Sequence, residues 1–453
     1  MHILEKLPKP VFDRSVVSYR KETLKKILYQ VQTHEADIVK ALQMDLGKPE
    51  FEAVINETNY VISDLKHAIK NIDRWNKPQK VRPSILNFPS TDYIFSEPYG
   101  KVLIMAPWNY PFQLALCPAI AAVAAGNHVT LKPSELTPAT SSAVSRIISY
   151  SCHPDLITVV EGGPALAEKL LEKRWDYIFF TGSVTVGKII AEAAAKNLTP
   201  TTLELGGKNP CIIHPSANME LAARRIVWGK FVNAGQTCIA PDYILVHEDD
   251  EANFISLLKA EIIKAYGSDA SQSRDYQRIV NIKHWERLVG LIDPEDIAYG
   301  GRYDREKLYI EPTIIDENTL DSKLMQDEIF GPIIPVISYV DDHDIAYAIE
   351  KFRTPLALYV FAQDMKYAEK TIRKYAFGGG CINDTMVHFV NRRLPFGGVG
   401  ESGMGSYHGK NGFDIFTHKK SVVKKATWLD VPLRYAPYGN KIKKIKKWLR
   451  WLT

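Results

Sequence analysis

The chain has 453 residues, of which 45% are hydrophobic and 24% are charged. These fractions are typical of a soluble globular protein and do not indicate disorder or low complexity, and the length predicts two or three domains. The net charge of +5 is uneven: the segment from Lys419 onward holds 11 basic residues and one acid, Asp430, whereas the 418 residues before it hold 46 basic and 51 acidic residues. The mildly acidic body argues against nucleic-acid binding.

The five cysteines are odd in number and scattered, at positions 117, 152, 211, 238 and 381. Their spacing forms no cluster of cysteine and histidine ligands, so we expect no metal site. Free thiols favour a reducing compartment, and we therefore expect a cytoplasmic protein. The segment from Met1 to Pro8 lacks the apolar core of a signal peptide, and no apolar run is long enough to cross a bilayer.

The region up to about residue 75 is predicted to be helical. Apolar residues alternate with lysines from about residue 10, and the apolar content continues from Ala53 to Ile62 with less regular spacing. Three prolines between residues 78 and 89 end this region. The partly polar segment Ser90–Pro98 has the composition of a strand, which we expect to pair as an arm with another part of the fold.

Short apolar runs alternate with helical stretches from Val102 onward. The predicted strands are 102–105, 128–131, 156–160 and 177–180, and the predicted helices are 113–125, 138–149, 165–171 and 186–196. This alternation predicts an α/β fold with a doubly wound, Rossmann-like parallel sheet, in which nucleotides bind at the carboxyl ends of the strands. A second alternating series, from about Thr202 to Ile382, predicts a second α/β domain.

A lone cysteine, Cys238, lies in the loop Gly235–Pro241 between a predicted helix and the predicted strand Tyr243–Val246. At such a junction a thiol can reach a cavity while rigid elements hold its backbone. A polar loop with free backbone N–H groups favours the thiolate, which is the nucleophilic form. The alternative is a small residue buried in the core, because most cysteines are inert packing.

Two predicted strand ends carry groups that suit a nucleotide. Gly182, Ser183 and Gly187 follow one strand and open a helix, whose N-terminal N–H groups attract phosphate. Their spacing is not GxGxxG, so a plain strand-to-helix turn is the alternative. Lys132 and Glu135 follow another strand, where a doubly wound sheet places a ribose. An ordinary solvated loop is the alternative for this pair.

Three polar side chains adjoin turns. Asn109 is the side-chain amide of the loop Pro107–Phe112, and it could stabilise an oxyanion by roughly 3–4 kcal/mol or satisfy turn backbone groups. Glu204 ends a predicted strand between two leucines; a carboxylate there can have a raised pKa and act as a base, or form a structural salt bridge. Glu328 similarly precedes Phe330 and a Gly-Pro turn.

Together these motifs resemble the NAD(P)-dependent aldehyde dehydrogenase superfamily, over about residues 1–425. Each motif alone is weak, but their joint match in the correct order is very specific. The motifs are Pro107-Trp108-Asn109, Leu203-Glu204-Leu205-Gly206-Gly207-Lys208, Gly235-Gln236-Thr237-Cys238 and Glu328-Ile329-Phe330-Gly331-Pro332. The short N-terminus and the segment from Leu394 to Gly409 look like the class 3 branch, the fatty and aromatic aldehyde dehydrogenases. Asn209 is a departure, since many relatives have serine there.

The resemblance implies a role for each candidate residue. Cys238 would attack the aldehyde carbonyl, and the oxyanion of the thiohemiacetal would rest on the Asn109 amide and the Cys238 N–H. Hydride transfer to NAD or NADP would leave a thioester, and water activated by Glu204 would release the acid. The implied cofactor contacts are Glu328 at the nicotinamide ribose, Lys132 and Glu135 at the adenosine ribose, and Ser183 in the Gly182–Gly187 turn at the pyrophosphate, with Trp108 and Phe330 as further contacts.

The resemblance also implies a domain division, and at least a homodimer. The expected parts are a cofactor domain (1–80 and 100–205), a catalytic domain (206–400), a small β oligomerisation arm (81–99 and 401–425) and a basic tail (426–453). Glu135 would repel a 2′-phosphate and Lys132 would attract it, so we expect NAD to be preferred and NADP to be usable. The aldehyde is expected to be medium- or long-chain or aromatic; Tyr60 and Phe396 suggest an apolar tunnel, which core packing explains equally well.

Two other functions stay open on the sequence. A CoA-dependent acylating reductase shares the cysteine and the fold, but Glu204 argues against it because a base that activates water hydrolyses the thioester. A catalytically silent binding protein on the same fold is the second alternative. The presence of Cys238, Asn109 and Glu204 argues against that interpretation.

The basic tail has the pattern of an interfacial helix. From Lys441 to Leu452 an apolar stripe repeats at helical spacing, with Trp448 close to it and lysines on the other faces. Each basic residue near an anionic leaflet contributes about 1 kcal/mol, so the pattern predicts peripheral contact with a membrane surface. A helix packed on the body or on a dimer partner, with solvated lysines, is the alternative.

Overall fold

The computed structural model describes residues 16–430, 432–443 and 445–446. The α-helices are α1 Val17–Thr33, α2 Glu35–Leu46, α3 Glu50–Ala53, α4 Asn59–Trp75, α5 Gln113–Ala125, α6 Pro138–Ser151, α7 Pro164–Leu171, α8 Val184–Ala195, α9 Met219–Phe231, α10 Glu251–Tyr266, α11 Ile282–Val289, α12 Lys323–Gln326, α13 Asp342–Lys351, α14 Met365–Lys374 and α15 Gly409–Ile415. The strands are β1 Gln79–Val81, β2 Ser90–Pro98, β3 Lys101–Met105, β4 His128–Lys132, β5 Ile157–Val159, β6 Tyr177–Thr181, β7 Thr201–Glu204, β8 Pro210–Ile213, β9 Tyr243–His247, β10 Ile297–Tyr299, β11 Tyr303–Asp304, β12 Tyr309–Ile310, β13 Thr313–Asp316, β14 Ile333–Tyr339, β15 Ala357–Phe361, β16 Gly379–Ile382, β17 Gly403–Met404 and β18 Thr417–Lys425.

The N-terminal region is a layer of helices, as predicted. Helices α1, α2 and α4 bury their apolar faces against α5 and α6, which pack on the first sheet. Between α3 and α4 the backbone forms a π-helical turn, Val54–Thr58. A π-helical turn is wider than an α-helical one, which explains why the apolar spacing is irregular between Ala53 and Ile62. None of the described helices is long and apolar enough to span a bilayer.

The first sheet has six strands in the order β17-β7-β6-β3-β4-β5. Strands β3 to β7 are parallel, and β17 is antiparallel to β7. The chain runs from β3 outward to β4 and β5 and then returns to β6 and β7 on the other side, so the winding reverses between β3 and β6. The predicted doubly wound sheet is confirmed, with strands and helices within a few residues of their predicted bounds. Strand β7 was expected to begin the second series, but it pairs with β6 and belongs to this sheet.

The second sheet has seven strands in the order β10-β13-β14-β9-β8-β15-β16. Its strands are parallel except for β10, which is antiparallel to β13. Helices α9, α10, α13 and α14 cover it, and the predicted second α/β unit is therefore present. The segment between α9 and β9 carries Cys238.

A third, antiparallel sheet has the order β1-β2-β18. Strand β18 pairs with β2 along its whole length, from Thr417 opposite Pro98 to Lys425 opposite Ser90. The predicted arm strand 90–98 thus pairs with the C-terminal part of the chain. Within the segment 401–425, however, β17 joins the first sheet and α15 packs on α4 and α5. The domain boundaries derived from the sequence stay a prediction.

Candidate active site

The cysteine loop leaves α9 through a turn of left-handed backbone. Asn233 and Ala234 have φ values of 57° and 49°, and Gly235 has a φ of 72°. A Cβ atom on Gly235 would lie 2.2 Å from the carbonyl oxygen of Gly331, so glycine is required there for space as well as for conformation. The turn directs the chain back to the half-buried Cys238 before β9 begins.

The environment of Cys238 differs from the sequence prediction. Burial raises the pKa of the Cys238 thiol, and the nearby charges of Glu328 and Glu204 raise it further, while hydrogen bonds from the N–H groups of Cys238 and Ile239 oppose the shift. The prediction that the loop favours the thiolate is therefore wrong for the protein alone. The loop is polar in sequence, but it is enclosed and faces two carboxyl groups.

The Asn109 side chain lies against the cysteine loop. Asn109 follows β3, is 3% exposed, and donates from Nδ2 to the carbonyl oxygen of Gln236 at 3.0 Å. The adjacent Tyr110 hydroxyl lies 2.9 Å from Thr237 Oγ1. The amide has a second N–H, which can be directed at an oxyanion. The structure thus joins the two predicted catalytic loops through two side-chain hydrogen bonds.

Glu204 ends β7 as a buried carboxyl group without a partner. It is 3% exposed, and neither carboxyl oxygen has a hydrogen-bond partner among the described residues. Burial raises the pKa of Glu204 well above its usual value. The alternative of a structural salt bridge has no support, since no described cation lies within ion-pair distance of this group. A buried carboxyl group with a raised pKa is suited to act as a general base.

Glu328 reaches the same region from the other side. A Cβ atom on Gly206 would lie 2.0 Å from Glu328 Oε2, so the carboxyl group lies directly on the glycine after the Glu204 strand. Burial raises the pKa of Glu328 to about 8, the charge of Asp242 adds to the rise, and a hydrogen bond from the Gly207 N–H opposes it. Glu204 and Glu328 are therefore two carboxyl groups with raised pKa values near one thiol.

Trp108 and Phe330 form one half-buried aromatic group. The Trp108 ring lies 5.4 Å from the Phe330 ring, edge to face, and 5.0 Å from His284. Phe330 has a left-handed φ of 49°, and the carbonyl of the preceding Ile329 accepts from Arg287 at 2.6 Å. This geometry presents an apolar surface next to Glu328.

Lys132 and Glu135 lie at the carboxyl end of β4 and bind each other. Lys132 Nζ donates to Glu135 Oε2 at 2.9 Å, and the side chains are 7% and 37% exposed. Glu135 faces the N-terminus of α7, where a Cβ atom on Gly163 would lie 4.0 Å from Glu135 Cγ. The pair is thus an ion pair at the edge where nucleotides bind, with its carboxylate accessible.

The strand-to-helix turn after β6 forms the N-terminus of α8. Ser183 is the N-cap residue and accepts from the Val186 N–H at 3.4 Å. A Cβ atom on Gly187 would lie 2.6 Å from Leu205 Cδ2, so glycine lets α8 approach the Glu204 strand closely. A Cβ atom on Gly182 would lie 2.4 Å from the Phe180 ring. The N–H groups at the start of such a helix attract anions.

These residues fit a dinucleotide. A helix N-terminus suits the pyrophosphate, the Lys132–Glu135 pair suits a ribose, and the unpartnered Glu204 lies at the reacting end. All of these groups follow strands β3, β4, β6 and β7, at the edge where the winding reverses. Among the described residues, the side chains that could hold a metal ion form a single exposed group, Asp341, His343 and Asp344, which includes none of these site residues.

The residues that hold this site in place were not among the predicted site residues. Lys48, Glu57 and Asn233 are buried around the Asn109 loop, and Gln236 was quoted only as part of a motif. The irregular apolar spacing before Ile62 was a usable signal, since it marks the π-helical turn that carries Glu57.

An aromatic cluster joins α4 to the segment 389–408. Ring centroids of Tyr60 and Phe389 are 5.0 Å apart, those of Phe389 and Phe396 are 4.9 Å apart, and those of Phe389 and His408 are 4.6 Å apart. A small cavity beside Tyr60 and His408 has room for about one water molecule and is not lined by Cys238. The aromatic side chains pack on one another, so both the tunnel and the packing interpretations remain.

Comparison with known proteins places this site in a family. The profile of the Aldehyde dehydrogenase family matches residues 6–422. The chain belongs to the aldehyde dehydrogenase family. It is 47% identical to 4,4'-diaponeurosporen-aldehyde dehydrogenase of Staphylococcus aureus over 96% of this chain and 95% of that one. It is 42% identical to aldehyde dehydrogenase family 3 member H1 of Arabidopsis thaliana over 93% and 88%.

Solved structures agree with this assignment. The substrate-bound Staphylococcus aureus AldH superimposes with a TM-score of 0.94 at 45% identity, over 98% of this chain and 96% of that chain. The aldehyde dehydrogenase is thus confirmed as a member of the class 3 branch with the predicted α/β fold. It is an NAD(P)-dependent enzyme that oxidises aldehydes to carboxylic acids.

Proposed function

We propose that this aldehyde dehydrogenase acts on medium- or long-chain or aromatic aldehydes, with Cys238 as nucleophile, Asn109 as oxyanion donor and Glu204 as the base for hydrolysis. The single observation that carries the proposal is Glu204: a buried carboxyl group without a partner, close enough to Cys238 for its charge to raise the pKa of the thiol. The proposed substrate class rests on the class 3 relatives.

The proposed order of events begins at Cys238. The Cys238 proton passes to solvent as the sulfur bonds to the aldehyde carbon, and the carbonyl oxygen becomes an oxyanion that the free N–H of Asn109 would stabilise. Bound NAD(P) supplies the acceptor for the hydride that leaves this carbon. The product on Cys238 is a thioester; Glu204 takes a proton from the water that attacks it and returns a proton to the sulfur as the C–S bond breaks, so the acid leaves and the thiol is restored.

The cofactor is held by the residues at the sheet edge. Ser183 and the N-terminus of α8 would face the pyrophosphate, Lys132 and Glu135 the adenosine ribose, and Glu328 the nicotinamide ribose beside Trp108 and Phe330. Glu135 is bound to Lys132, so the cation that would attract a 2′-phosphate is already neutralised in part. This pairing supports NAD as the preferred cofactor, with NADP usable.

A substrate panel tests the proposed specificity. Initial rates of NADH formation are measured from acetaldehyde through long-chain and aromatic aldehydes, with and without CoA. We expect kcat/KM to rise with apolar size and turnover to be independent of CoA. A preference for acetaldehyde contradicts the substrate class, and dependence on CoA establishes the acylating alternative instead.

We also propose a homodimer and a cytoplasmic location with peripheral membrane contact. The aldehyde dehydrogenase of Canis lupus familiaris, 42% identical over 93% of each chain, is named dimeric and NADP-preferring. The five cysteines are all free, which suits a reducing compartment. In the tail, residues 441–443 and 445–446 are helical, and Trp428, Tyr438 and Ile442 are exposed. Trp448, Leu449 and Leu452, on which the predicted stripe also depends, lie outside the described residues.

A further inference from the structure

A buried ion pair without a role in the proposed reaction lies behind the Asn109 loop. Lys48 Nζ donates to Glu57 Oε1 at 2.7 Å, and both side chains are 0% exposed. Desolvation offsets most of the attraction in such a pair, so stability alone is a weak reason for its presence. Glu57 lies in the π-helical turn Val54–Thr58, and π-helical turns are frequent at functional sites.

The remaining hydrogen bonds of this pair go to the segment that carries the oxyanion donor. Lys48 Nζ also donates to the backbone oxygen of Asn109 at 3.2 Å. The second oxygen of Glu57 accepts from the Phe112 N–H at 3.2 Å and from the Gln113 N–H at 2.8 Å, at the start of α5. One ion pair therefore holds both ends of the chain from Asn109 to Gln113.

The same network reaches the cysteine loop. Asn233 Nδ2 donates to the Asn109 backbone oxygen at 3.1 Å and to the Gln236 oxygen at 3.0 Å. The Asn109 side chain donates to that same Gln236 oxygen, and the Asn233 N–H donates to Glu52 Oε2 at 3.0 Å. The backbone carbonyl of Asn109 thus has two donors, one from the ion pair and one from the loop that carries Cys238.

We propose that Lys48 is a positioning residue for aldehyde oxidation, and that with Glu57 it sets the place of the Asn109 amide relative to Cys238. The proposal rests on the proposed function of Asn109 as the oxyanion donor. A carbonyl held from two sides cannot shift along the loop, so the amide N–H keeps its direction while the oxyanion forms. A misplacement of about 1 Å can lower a rate by roughly 10²-fold, which makes such a support consequential.

A double-mutant cycle tests the coupling. Asn109→Ala removes the donor and is expected to lower kcat roughly 10²- to 10³-fold. Lys48→Met is expected to lower kcat roughly 10- to 100-fold with little change in KM, since positioning affects the transition state more than binding. In the Asn109→Ala background the same Lys48 substitution is expected to cost less than about threefold, because the group that it positions is gone. If the losses in kcat from the two single substitutions simply multiply in the double variant, the proposal is overturned.

Lys48→Met leaves the Glu57 carboxylate buried without its cation, so a variant without either charge controls for unfolding. Lys48→Met with Glu57→Gln removes both charges, and the glutamine oxygen can still accept from α5. We expect this variant to fold and bind NAD as the wild type does, with kcat still reduced; wild-type kcat in a folded variant overturns the proposal. Arg302→Met with Glu311→Gln is the control for loss of an ion pair in another part of the chain, where the Glu311 side chain is 3% exposed and that of Arg302 is 60% exposed. Its effect on kcat is expected to be the same with and without Asn109.

The alkylation rate of Cys238 is measured without aldehyde, so it tests the positioning role even where the proposed function fails. If the wild type oxidises no aldehyde, the proposed function fails, and the alkylation rate of Cys238 by iodoacetamide still tests the network. Release of the Asn109 segment loosens the cysteine loop, so the neutral double variant is expected to alkylate Cys238 several-fold faster, measured by peptide mass spectrometry. An unchanged rate contradicts the positioning role.

Discussion

At the residue scale, the surroundings of Cys238 favour its neutral thiol over the thiolate. Burial raises its pKa, and the charges of Glu328 and Glu204 raise it further. A raised pKa favours the protonated thiol in the protein alone. Such a setting protects the thiol from oxidation, since the thiolate is the reactive form.

The effect of the Glu328 charge on the pKa of Cys238 can be measured from the pH dependence of alkylation. The pKa of Glu328 is about 8, so its charge is present above that pH and largely absent at pH 6. Glu328→Gln is expected to lower the pKa of Cys238 and to raise its alkylation rate at pH 9 by up to about tenfold, which corresponds to one pKa unit. At pH 6 the variant and the wild type are expected to react alike. Equal rates at pH 9 would show that the Glu328 charge does not reach the thiol.

Glu204→Gln tests the base for hydrolysis. Without the carboxylate the thioester accumulates, so we expect a burst of NADH equal to the enzyme concentration, followed by a slow steady state. A single slow phase contradicts the assignment. Rapid mixing with NADH absorbance measures both phases.

The same variant is expected to be more stable than the wild type. The pKa of Glu204 is higher in the folded protein than in the unfolded protein. This carboxyl group therefore costs no stability below the ordinary carboxyl pKa. As pH rises from there toward the folded pKa, the free energy of unfolding falls. Glutamine has no charged form and removes this loss, so the gain in stability is expected to be larger at pH 8 than at pH 5. A melting temperature below that of the wild type at pH 8 would contradict this account.

Glu135→Gln tests cofactor choice. The substitution frees Lys132 from its ion pair and removes the charge that repels a 2′-phosphate. We expect kcat/KM for NADP to rise relative to that for NAD, mainly through a lower KM for NADP. An unchanged ratio would remove Glu135 from the ribose site.

At the scale of elements, the glycine-rich return after Phe396 supports the end of β7. A Cβ atom on Gly398 would lie 2.1 Å from the Ser402 oxygen, which accepts from the Leu205 N–H at 3.1 Å. The following strand, β17, places Gly403 opposite Glu204. The position of the proposed base therefore depends on a backbone contact about 200 residues away in sequence.

Gly398→Ala is expected to displace this contact. The added methyl group meets backbone rather than a flexible side chain, so we expect a loss of roughly 1–3 kcal/mol in the free energy of unfolding and a slower release of the thioester. Gly163→Ala is the control, because its nearest heavy atom would be 4.0 Å away, and it is expected to cost less than about 1 kcal/mol. Urea denaturation curves compare the two; equal losses would contradict the argument.

At the scale of the whole molecule, the charge asymmetry between body and tail has a testable consequence. A chain that ends at Tyr438 lacks the basic helix but keeps all four sheets of the described residues. If the tail contacts membranes, the full chain is expected to sediment with anionic vesicles and the truncated chain is expected to stay in the supernatant. With neutral vesicles, both chains are expected to stay in the supernatant. Lys443→Gln with Lys446→Gln is expected to weaken this binding at low salt. Equal partitioning of the full and truncated chains would leave the tail a structural element.

The sequence by itself determined the secondary structure, the sheet type and the family. Strands and helices of the first sheet were predicted within a few residues, because apolar periodicity is a local property of the chain. Cys238, Asn109 and Glu204 were selected from short motifs, and the structure brings their loops together. The start of the second series was misplaced, because whether Thr201–Glu204 pairs with β6 or β8 is decided by contacts distant in sequence.

Only the tertiary structure decided the chemical state of the site. The sequence predicted a thiolate from a polar loop, but enclosure and two facing carboxyl groups raise the pKa of Cys238. No local pattern indicates that both oxygens of Glu204 lack partners, or that Lys48 and Glu57 join α5 to Asn109. Electrostatic energy depends on distance and burial, which are set by residues that the chain brings together from far apart.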